Sequence, residues 1–366
     1  MRKHSIPTLL ALLILTGCHD NAPVTHEPVG YNIYAAGSWY GRADTDSSTM
    51  YIYDADSLTL IDSLTFPDVA DDAVASPDGR HLYIQFWPYH QPAVGRYIAK
   101  YNLLSRHVVW SRESSQATQP RLYDNGNLLV CYPELINPTS GQVIGRLDES
   151  PYAGWRLANG PAHGTEVCAI SIANAPNRDS AIVAMDIRTG TRRGWFVPRL
   201  AVNGPPLRIS HARLHPDGRR VLCSGAASSV QDAWFVVGDC ETGEQLFSAR
   251  LSTPSYEIAI SHDGAIAVVV DEGNPAFGYG WPAVYIFDLN SYQLLARLDG
   301  TDGLVYWPGR AQFLPGDRRV ALMPDNHMIV TGWLQTLDLT SLTPEFVIDT
   351  PWFEPFLGAF TVGPRA

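Results

Sequence analysis

Short apolar runs of four to seven residues recur along this chain, among them residues 50–53, 181–185, 234–237 and 284–287. They are rich in β-branched and aromatic side chains, which predicts β-strands. Each of these runs leads into an Asp followed three places later by Ser or Thr, and another strand-like run comes next. An Asp or Asn side chain in this position can accept the backbone N–H two residues on and close a turn. The pattern therefore predicts pairs of strands joined by Asp/Asn turns.

Seven such turns occur along the chain. Their spacings are 48, 35, 49, 53, 49 and 50 residues, and they begin at Asp54, Asn102, Asn137, Asp186, Asp239, Asp288 and Asp338. A near-constant period of this size indicates a repeat fold. A second, tighter turn of the Pro-Asp-Gly type precedes most of them, as at residues 76–79 and 215–218. Each repeat therefore contains four strands, with a long connection between the second and the third.

Four-stranded units of about 40–50 residues, repeated radially, are typical of β-propellers. We expect an all-β, seven-bladed β-propeller with four antiparallel strands per blade. The first repeat lacks an initial strand, and the run at residues 356–362 supplies one. The C-terminal strand would thus close the first blade and leave no open sheet edge.

The repeats resemble the bacterial YVTN-type and Pro-Asp-Gly-repeat propellers, which share the seven-bladed fold of quinoprotein amine dehydrogenase subunits. The resemblance covers roughly residues 31–363 and rests on the Asp/Asn turns and on the segments 76–83 and 215–222. No repeat spells Tyr-Val-Thr-Asn itself. The resemblance implies an architecture and little about activity, because such folds carry many functions.

The N-terminus predicts export. A charged start and an apolar run end in Leu15-Thr-Gly-Cys18, which resembles a lipobox. We expect residues 1–17 to be a lipoprotein signal peptide, residues 18–30 a tether lipidated at Cys18, and residues 31–366 one propeller domain. The alternative is an ordinary secretory leader with an incidental Cys. His19 after Cys18, by resemblance to enterobacterial sorting, favours the outer membrane facing the periplasm.

The charge balance limits the choice of partners. Without Arg2 and Lys3 the chain keeps 24 basic residues against 37 acidic ones, a net charge near −13. This argues against nucleic acid, since there is no basic stripe to hold phosphates. The remaining partners are an envelope protein, a peptide or a glycan, with the membrane reached through the lipid on Cys18, and we expect a monomer.

Two cysteines of one predicted blade could form a disulfide. Cys223 lies on its second strand and Cys240 just beyond its third. An oxidising compartment permits this bond. The alternative is that each thiol is a small buried apolar group.

Aromatic residues gather on the connections that share one end of the predicted blades. Aromatic side chains on loops of a rigid scaffold are typical of recognition surfaces. The alternative is that they fill gaps between blades. The candidate binding residues are Trp39, Trp87, Phe277, Tyr279, Trp281 and Trp307.

A polar position recurs on the first strand, seven residues before the end of the tight turn. If this strand lines a central channel, these side chains would form a ring that holds a small polar ligand or a divalent cation. The alternative is an ordinary polar, water-filled channel. The ring residues are Asp72, Gln119, His211, Glu257 and Arg310.

The sequence contains no nucleophile elbow, P-loop, dinucleotide fingerprint or zincin motif, and we predict no resident cofactor. The favoured interpretation is a membrane-anchored propeller that binds partners through its aromatic loops. Two alternatives stay open. One is a periplasmic hydrolase or lactonase-like enzyme using the ring, with either a bound metal or a general base drawn from Asp72, His211 and Glu257. The other is an accessory subunit of a periplasmic dehydrogenase.

Overall fold

The structure of the protein is a computed structural model. It describes residues 30–38, 47–88, 95–114, 120–131, 133–146, 156–158, 166–172, 180–187, 192–200, 204–226, 233–253, 255–271, 283–304, 308–324, 333–349 and 360–365. The predicted signal peptide and nearly all of the predicted tether, including Cys18, lie outside these ranges. Among the described residues, no helix has the length and apolar composition needed to cross a membrane.

The described strands form seven four-stranded antiparallel sheets. Within each sheet, hydrogen-bonded neighbours follow one another along the chain, except that the C-terminal strand pairs with the N-terminal strand in the first sheet. The first three sheets contain β28 (Phe360–Pro364), β1 (Tyr31–Ser38), β2 (Ser48–Asp54), β3 (Leu60–Phe66); β4 (Val69–Ala75), β5 (His81–Trp87), β6 (Tyr97–Asn102), β7 (His107–Glu113); β8 (Arg121–Tyr123), β9 (Leu128–Cys131), β10 (Glu134–Ile136), β11 (Val143–Arg146). The other four contain β12 (Arg156–Ala158), β13 (Glu166–Ile172), β14 (Ser180–Asp186), β15 (Arg192–Phe196); β16 (Arg208–Leu214), β17 (Arg220–Ala226), β18 (Ala233–Asp239), β19 (Gln245–Arg250); β20 (Ser255–Ile260), β21 (Ile266–Asp271), β22 (Ala283–Asp288), β23 (Gln293–Asp299); β24 (Pro308–Phe313), β25 (Arg319–Pro324), β26 (Trp333–Asp338), β27 (Thr343–Asp349). Two single turns of 3-10 helix, Asp124–Gly126 and Gly300–Asp302, accompany them.

The C-terminal strand completes the first sheet, as the sequence predicts. β28 pairs antiparallel with β1, with Tyr31 opposite Pro364 and Ala35 opposite Phe360. The described strand, Phe360–Pro364, overlaps the expected run at 356–362, whose first four residues lie outside the described ranges. An apolar cluster that includes Ile33 of β1 and Met323 of β25 joins the first sheet to the seventh. The two ends of the chain therefore meet in one packed unit.

The Asp/Asn turns form the hydrogen bonds that their side chains predict. At Asp54, for example, Oδ1 accepts the backbone N–H of Asp56 (2.9 Å) and of Ser57 (2.8 Å). The same pair of hydrogen bonds forms at Asn102, Asn137, Asp239, Asp288 and Asp338. The turn at Asp186 extends beyond the described residues. Each of the six observed turns also places its fifth residue at positive φ, a feature that the sequence pattern did not reveal.

Neighbouring sheets pack closely enough to require glycine at particular points. A Cβ on Gly238 of β18 would lie 2.4 Å from the Phe196 ring of β15, which belongs to the preceding sheet. A Cβ on Gly194 of β15 would lie 1.6 Å from the carbonyl oxygen of Cys240. These contacts leave no room for a methyl group, so the packing of sheet against sheet depends on both glycines.

We predict that Gly238→Ala lowers the free energy of unfolding by about 1–3 kcal/mol, because the new methyl group overpacks the interface with Phe196. Gly95→Ala is the matched control, since a Cβ there meets no atom within 4 Å. Chemical denaturation of both variants measures the difference. Equal stability of the two variants would contradict the observed packing of these sheets.

Candidate functional site in the central channel

The predicted ring residues lie on the innermost strands of their sheets, directly after a β-bulge. The register shifts between Ala70 and Asp72, and likewise just before three further ring residues, His211, Glu257 and Arg310. A bulge inserts one unpaired residue and re-aims the side chain that follows it. Gln119, the fifth predicted ring residue, lies outside the described residues.

Asp72 and Arg310 meet although 238 residues separate them in the chain. Arg310 Nη1 donates to Asp72 Oδ2 at 3.1 Å, and Arg121 Nη1 lies 3.8 Å from Asp72 Oδ1. The Asp72 side chain is buried, and the two guanidinium groups are nearly so. Burial opposes the charge on Arg310, but Asp72 and then Glu257 raise its pKa above the ordinary value. Three sheets are thus joined by one buried carboxylate.

Glu257 forms the second centre of the network. Arg213 Nη2 donates to Glu257 Oε1, and Arg213 Nε donates to the carbonyl oxygen of Ile258 at 2.7 Å. His211 Nε2 lies 3.1 Å from the same carboxylate oxygen. Burial alone would raise the pKa of Glu257, but Arg213 and then His211 hold it well below its ordinary range. Glu257 is therefore a fixed anion in this network.

Arg121 and Arg213 are functional candidates that the sequence reasoning missed. Each lies two residues beyond a ring position, and residues two apart point to the same side of a strand. Arg213 follows the ring residue His211, and Arg121 follows the ring position at residue 119. Extending the ring by two residues along each first strand would have found both.

A cavity of about 490 Å³ occupies the channel between this network and the tight turns. At one end it contacts the charged residues Arg121, Arg213, Glu257 and Arg310. At the other end it reaches turn residues such as His262. We name the end of the sheets that carries the short first-to-second and third-to-fourth turns the turn face. The opposite end, where second strands pass to third strands, is the loop face.

The charges of this network disfavour both the predicted divalent cation and acid–base catalysis. Within the described ranges, no group of three His, Cys, Asp or Glu side chains gathers as a metal site would require. Asp72 lies between two guanidinium groups. Arg213 holds the pKa of Glu257 low, and a carboxylate held ionised in this way is a weak general base. The divalent cation remains a prediction, and these charges favour an anion in its place.

Trp87 is the predicted loop-face residue that the structure describes. It is half-buried at the end of β5, and the guanidinium carbon of Arg96 lies 4.7 Å from the centre of its ring. Arg96 also contacts Asp71 at 3.4 Å, so an aromatic, a cation and a carboxylate meet at this end of the second sheet. The other predicted residues, Trp39, Phe277, Tyr279, Trp281 and Trp307, lie outside the described residues.

The expected disulfide between Cys223 and Cys240 is not formed, and both residues are buried free thiols. Cys223 lies opposite Val236 in the pairing of β17 with β18. The backbone N–H of Cys240, in contrast, donates to the carbonyl oxygen of Arg219. The two cysteines are therefore offset by four positions, roughly 13 Å along the strands, beyond the Cα separation of a disulfide. Both belong to the apolar cluster between the fourth and fifth sheets, the alternative that the sequence left open.

Comparisons with solved structures support the propeller architecture. Dihydro-heme d1 dehydrogenase NirN in complex with DHE is similar with a TM-score of 0.54 at 16% identity, covering 90% of this chain and 74% of that chain. TolB from Acinetobacter baumannii gives 0.50 at 14% identity, covering 90% and 66%. A eukaryotic initiation factor gives 0.50 at 10% identity, covering 89% and 97%. NirN and TolB are β-propeller proteins.

No protein-family model matches the sequence, and no curated protein matches it significantly. This chain spans slightly under two thirds of the TolB chain, 66%. At such low identity the similarity shows the fold alone, because one fold carries many functions. The chain is thus an all-β protein of propeller type.

We predict that Glu257→Gln lowers the free energy of unfolding by about 2–4 kcal/mol at pH 7, because it removes the anion that Arg213 and His211 face. The pKa of Glu257 is lowered on folding, so its contribution is complete above the ordinary Glu pKa of about 4.3 and declines as pH falls below it. Urea denaturation at pH 7, 5 and 3 measures the difference between wild type and variant.

The difference should be the same at pH 7 and 5 and should be smaller at pH 3. Glu345→Gln is the control, since Glu345 is exposed. A difference that stays constant over this range, or grows, would show that Glu257 is not a stabilised anion.

Proposed function

We propose that this protein is a lipid-anchored cell-envelope β-propeller that binds a partner through its loop face. In this proposal the seven sheets are the blades of one closed ring, 31–366 is its single domain, and Cys18 carries the lipid. The apolar cluster between the seventh and first sheets supports closure, and the Leu15–Cys18 segment supports the anchor. The proposed partners are those that aromatic and arginine side chains bind well: a protein, a peptide or a glycan.

The observation that carries the proposal is the difference between the two ends of the sheets. Third-to-fourth connections contain four to six residues, whereas six of the seven second-to-third connections contain six to eleven. In the six described third-to-fourth turns, the Oδ1 of the first Asp or Asn accepts two backbone N–H groups of its own turn, as at Asp54 and Asp288. At the loop face, Trp87, Arg96 and Asp71 are each only partly buried. Long loops on a rigid scaffold with an aromatic–arginine pair are typical of recognition surfaces.

The enzyme alternatives gain less support. A hydrolase or lactonase that used the ring would need a base, yet Glu257 has a lowered pKa and Asp72 lies between two arginines. An accessory role in a periplasmic dehydrogenase rests on a shared architecture, since the similarity to NirN shows the fold alone. We therefore favour binding over catalysis, with the outer membrane facing the periplasm as the proposed location.

The test places a photo-crosslinking benzoylphenylalanine at Tyr279, on the connection between β21 and β22, in the full-length protein in intact cells. We expect a discrete adduct from this loop-face position. The matched probe at His262, which is 64% exposed at the turn face, should give none. A Cys18→Ser protein with the probe at Tyr279 should form no adduct and should move to the soluble fraction, because lipidation keeps the protein near its partner.

Equal adducts from Tyr279 and His262, or an adduct from His262 alone, would contradict binding through the loop face. If Cys18→Ser stays with the membrane, lipid anchoring at Cys18 is contradicted. The adduct from Tyr279 would still test binding through the loop face.

A further inference from the structure

The charges that line the channel cavity are unbalanced. Arg121, Arg213 and Arg310 reach it from three different sheets, and Glu257 is the one carboxylate residue among its described lining residues. Asp72 contacts Arg310 and Arg121 but does not line the cavity. The chain as a whole carries a net charge of −11, so this interior surplus of positive charge runs against the composition.

The arginines are also crowded. Burial lowers the pKa of Arg121, Asp72 opposes this effect, and Arg213 then lowers the pKa further. Arg121 Nη1 lies 3.8 Å from Asp72 Oδ1 and donates to the carbonyl oxygen of Pro120 at 2.9 Å. An oxyanion placed between Arg121 and Arg213 would reduce their mutual repulsion. The planar guanidinium fork is suited to carboxylate and phosphate groups, which it binds through two parallel hydrogen bonds.

The rest of the lining is largely apolar. Val74, Leu122, Ile260, Phe313 and Phe360 contact the cavity beyond the arginines. A cavity of about 490 Å³ lies within the size range of small-molecule pockets. An occupant that uses both parts of this lining has one charged end and an apolar body.

We propose that the channel cavity binds a small organic anion, with a carboxylate or phosphate group against Arg121 and Arg213 and an apolar body towards Ile260 and Phe313. Glu257 limits the affinity, because it is the anionic group of the lining and already occupies Arg213. The ligand enters from the turn face, where His262 and Asn125 bound the cavity. This site is independent of the proposed loop-face function, and its failure would leave the adduct at Tyr279 unaffected.

The test is titration calorimetry of the Cys18→Ser protein with benzoate and with phenyl phosphate. These two ligands distinguish a carboxylate from a phosphate. Benzamide is the neutral control for benzoate, and inorganic phosphate lacks the apolar body. We expect saturable, salt-sensitive binding of at least one of the two aromatic anions and much weaker binding of benzamide and inorganic phosphate.

Three variants locate the site. Arg121→Gln should weaken binding by about tenfold, the size of one charge-assisted contact. It leaves Asp72 paired with Arg310. Glu257→Gln should tighten binding by about threefold or more, because it removes the competing anion. Arg106→Gln, which deletes an exposed arginine of the β6–β7 turn that pairs with Asp62 of β3, should change nothing.

The opposite signs of the first two effects separate binding from damage to the fold. Both variants are measured at 15 °C after circular dichroism confirms that they are folded. The proposal is overturned if neither aromatic anion saturates the protein, if benzamide binds as well as benzoate, or if Glu257→Gln weakens binding as Arg121→Gln does.

Discussion

The pairing of β1 with β28 is the constraint on which the rest of the molecule depends. First strands from successive sheets can face one axis only if the last sheet packs against the first. The register from Tyr31–Pro364 to Ala35–Phe360 and the apolar cluster around Ile33 and Met323 provide that contact. Without it, Arg310 of the seventh sheet would not reach Asp72 of the second, and the channel cavity would lose its walls.

The features that could be predicted from the sequence are those decided by local chemistry. An Asp such as Asp54 closes its own turn with bonds to the next residues, so its spacing shows where strands end. The features that could not be predicted come from distant parts of the chain. Nothing near Asp72 indicates that its partner is Arg310, and the bulges that aim both side chains have no sequence mark. Arg121 and Arg213 could not be predicted from the recurring polar position, because that position marks one layer of the channel and these two arginines lie in the next.

The two ends of the sheets divide the chemistry of the molecule. At the turn face, the Asp or Asn that begins each of the six described third-to-fourth turns accepts hydrogen bonds from its own backbone, as at Asp288, and this fixes the geometry of the scaffold. The loop face has longer connections and the contact between Trp87 and Arg96. Between the two ends, the buried carboxylates of Asp72 and Glu257 bind arginines from neighbouring sheets, so that Asp72 joins three sheets and Glu257 joins two others. The same arginines that tie the sheets together give the cavity its positive charge, so one network serves the fold and offers a site.

A disulfide across the closing pair tests ring closure most directly. Arg365 donates its N–H to Gly30, so the alternation of an antiparallel ladder makes Ile33–Val362 a non-hydrogen-bonded pair with Cα atoms about 4.5 Å apart. Oxidised Ile33→Cys/Val362→Cys should form this bond in the folded protein and raise the free energy of unfolding by about 2–5 kcal/mol. The control Ile33→Cys/Thr361→Cys, one residue out of register, should remain reduced, since its second thiol points to the other face. Failure of the first pair to form, or equal oxidation of both pairs, would contradict a ring closed by its own C-terminal strand.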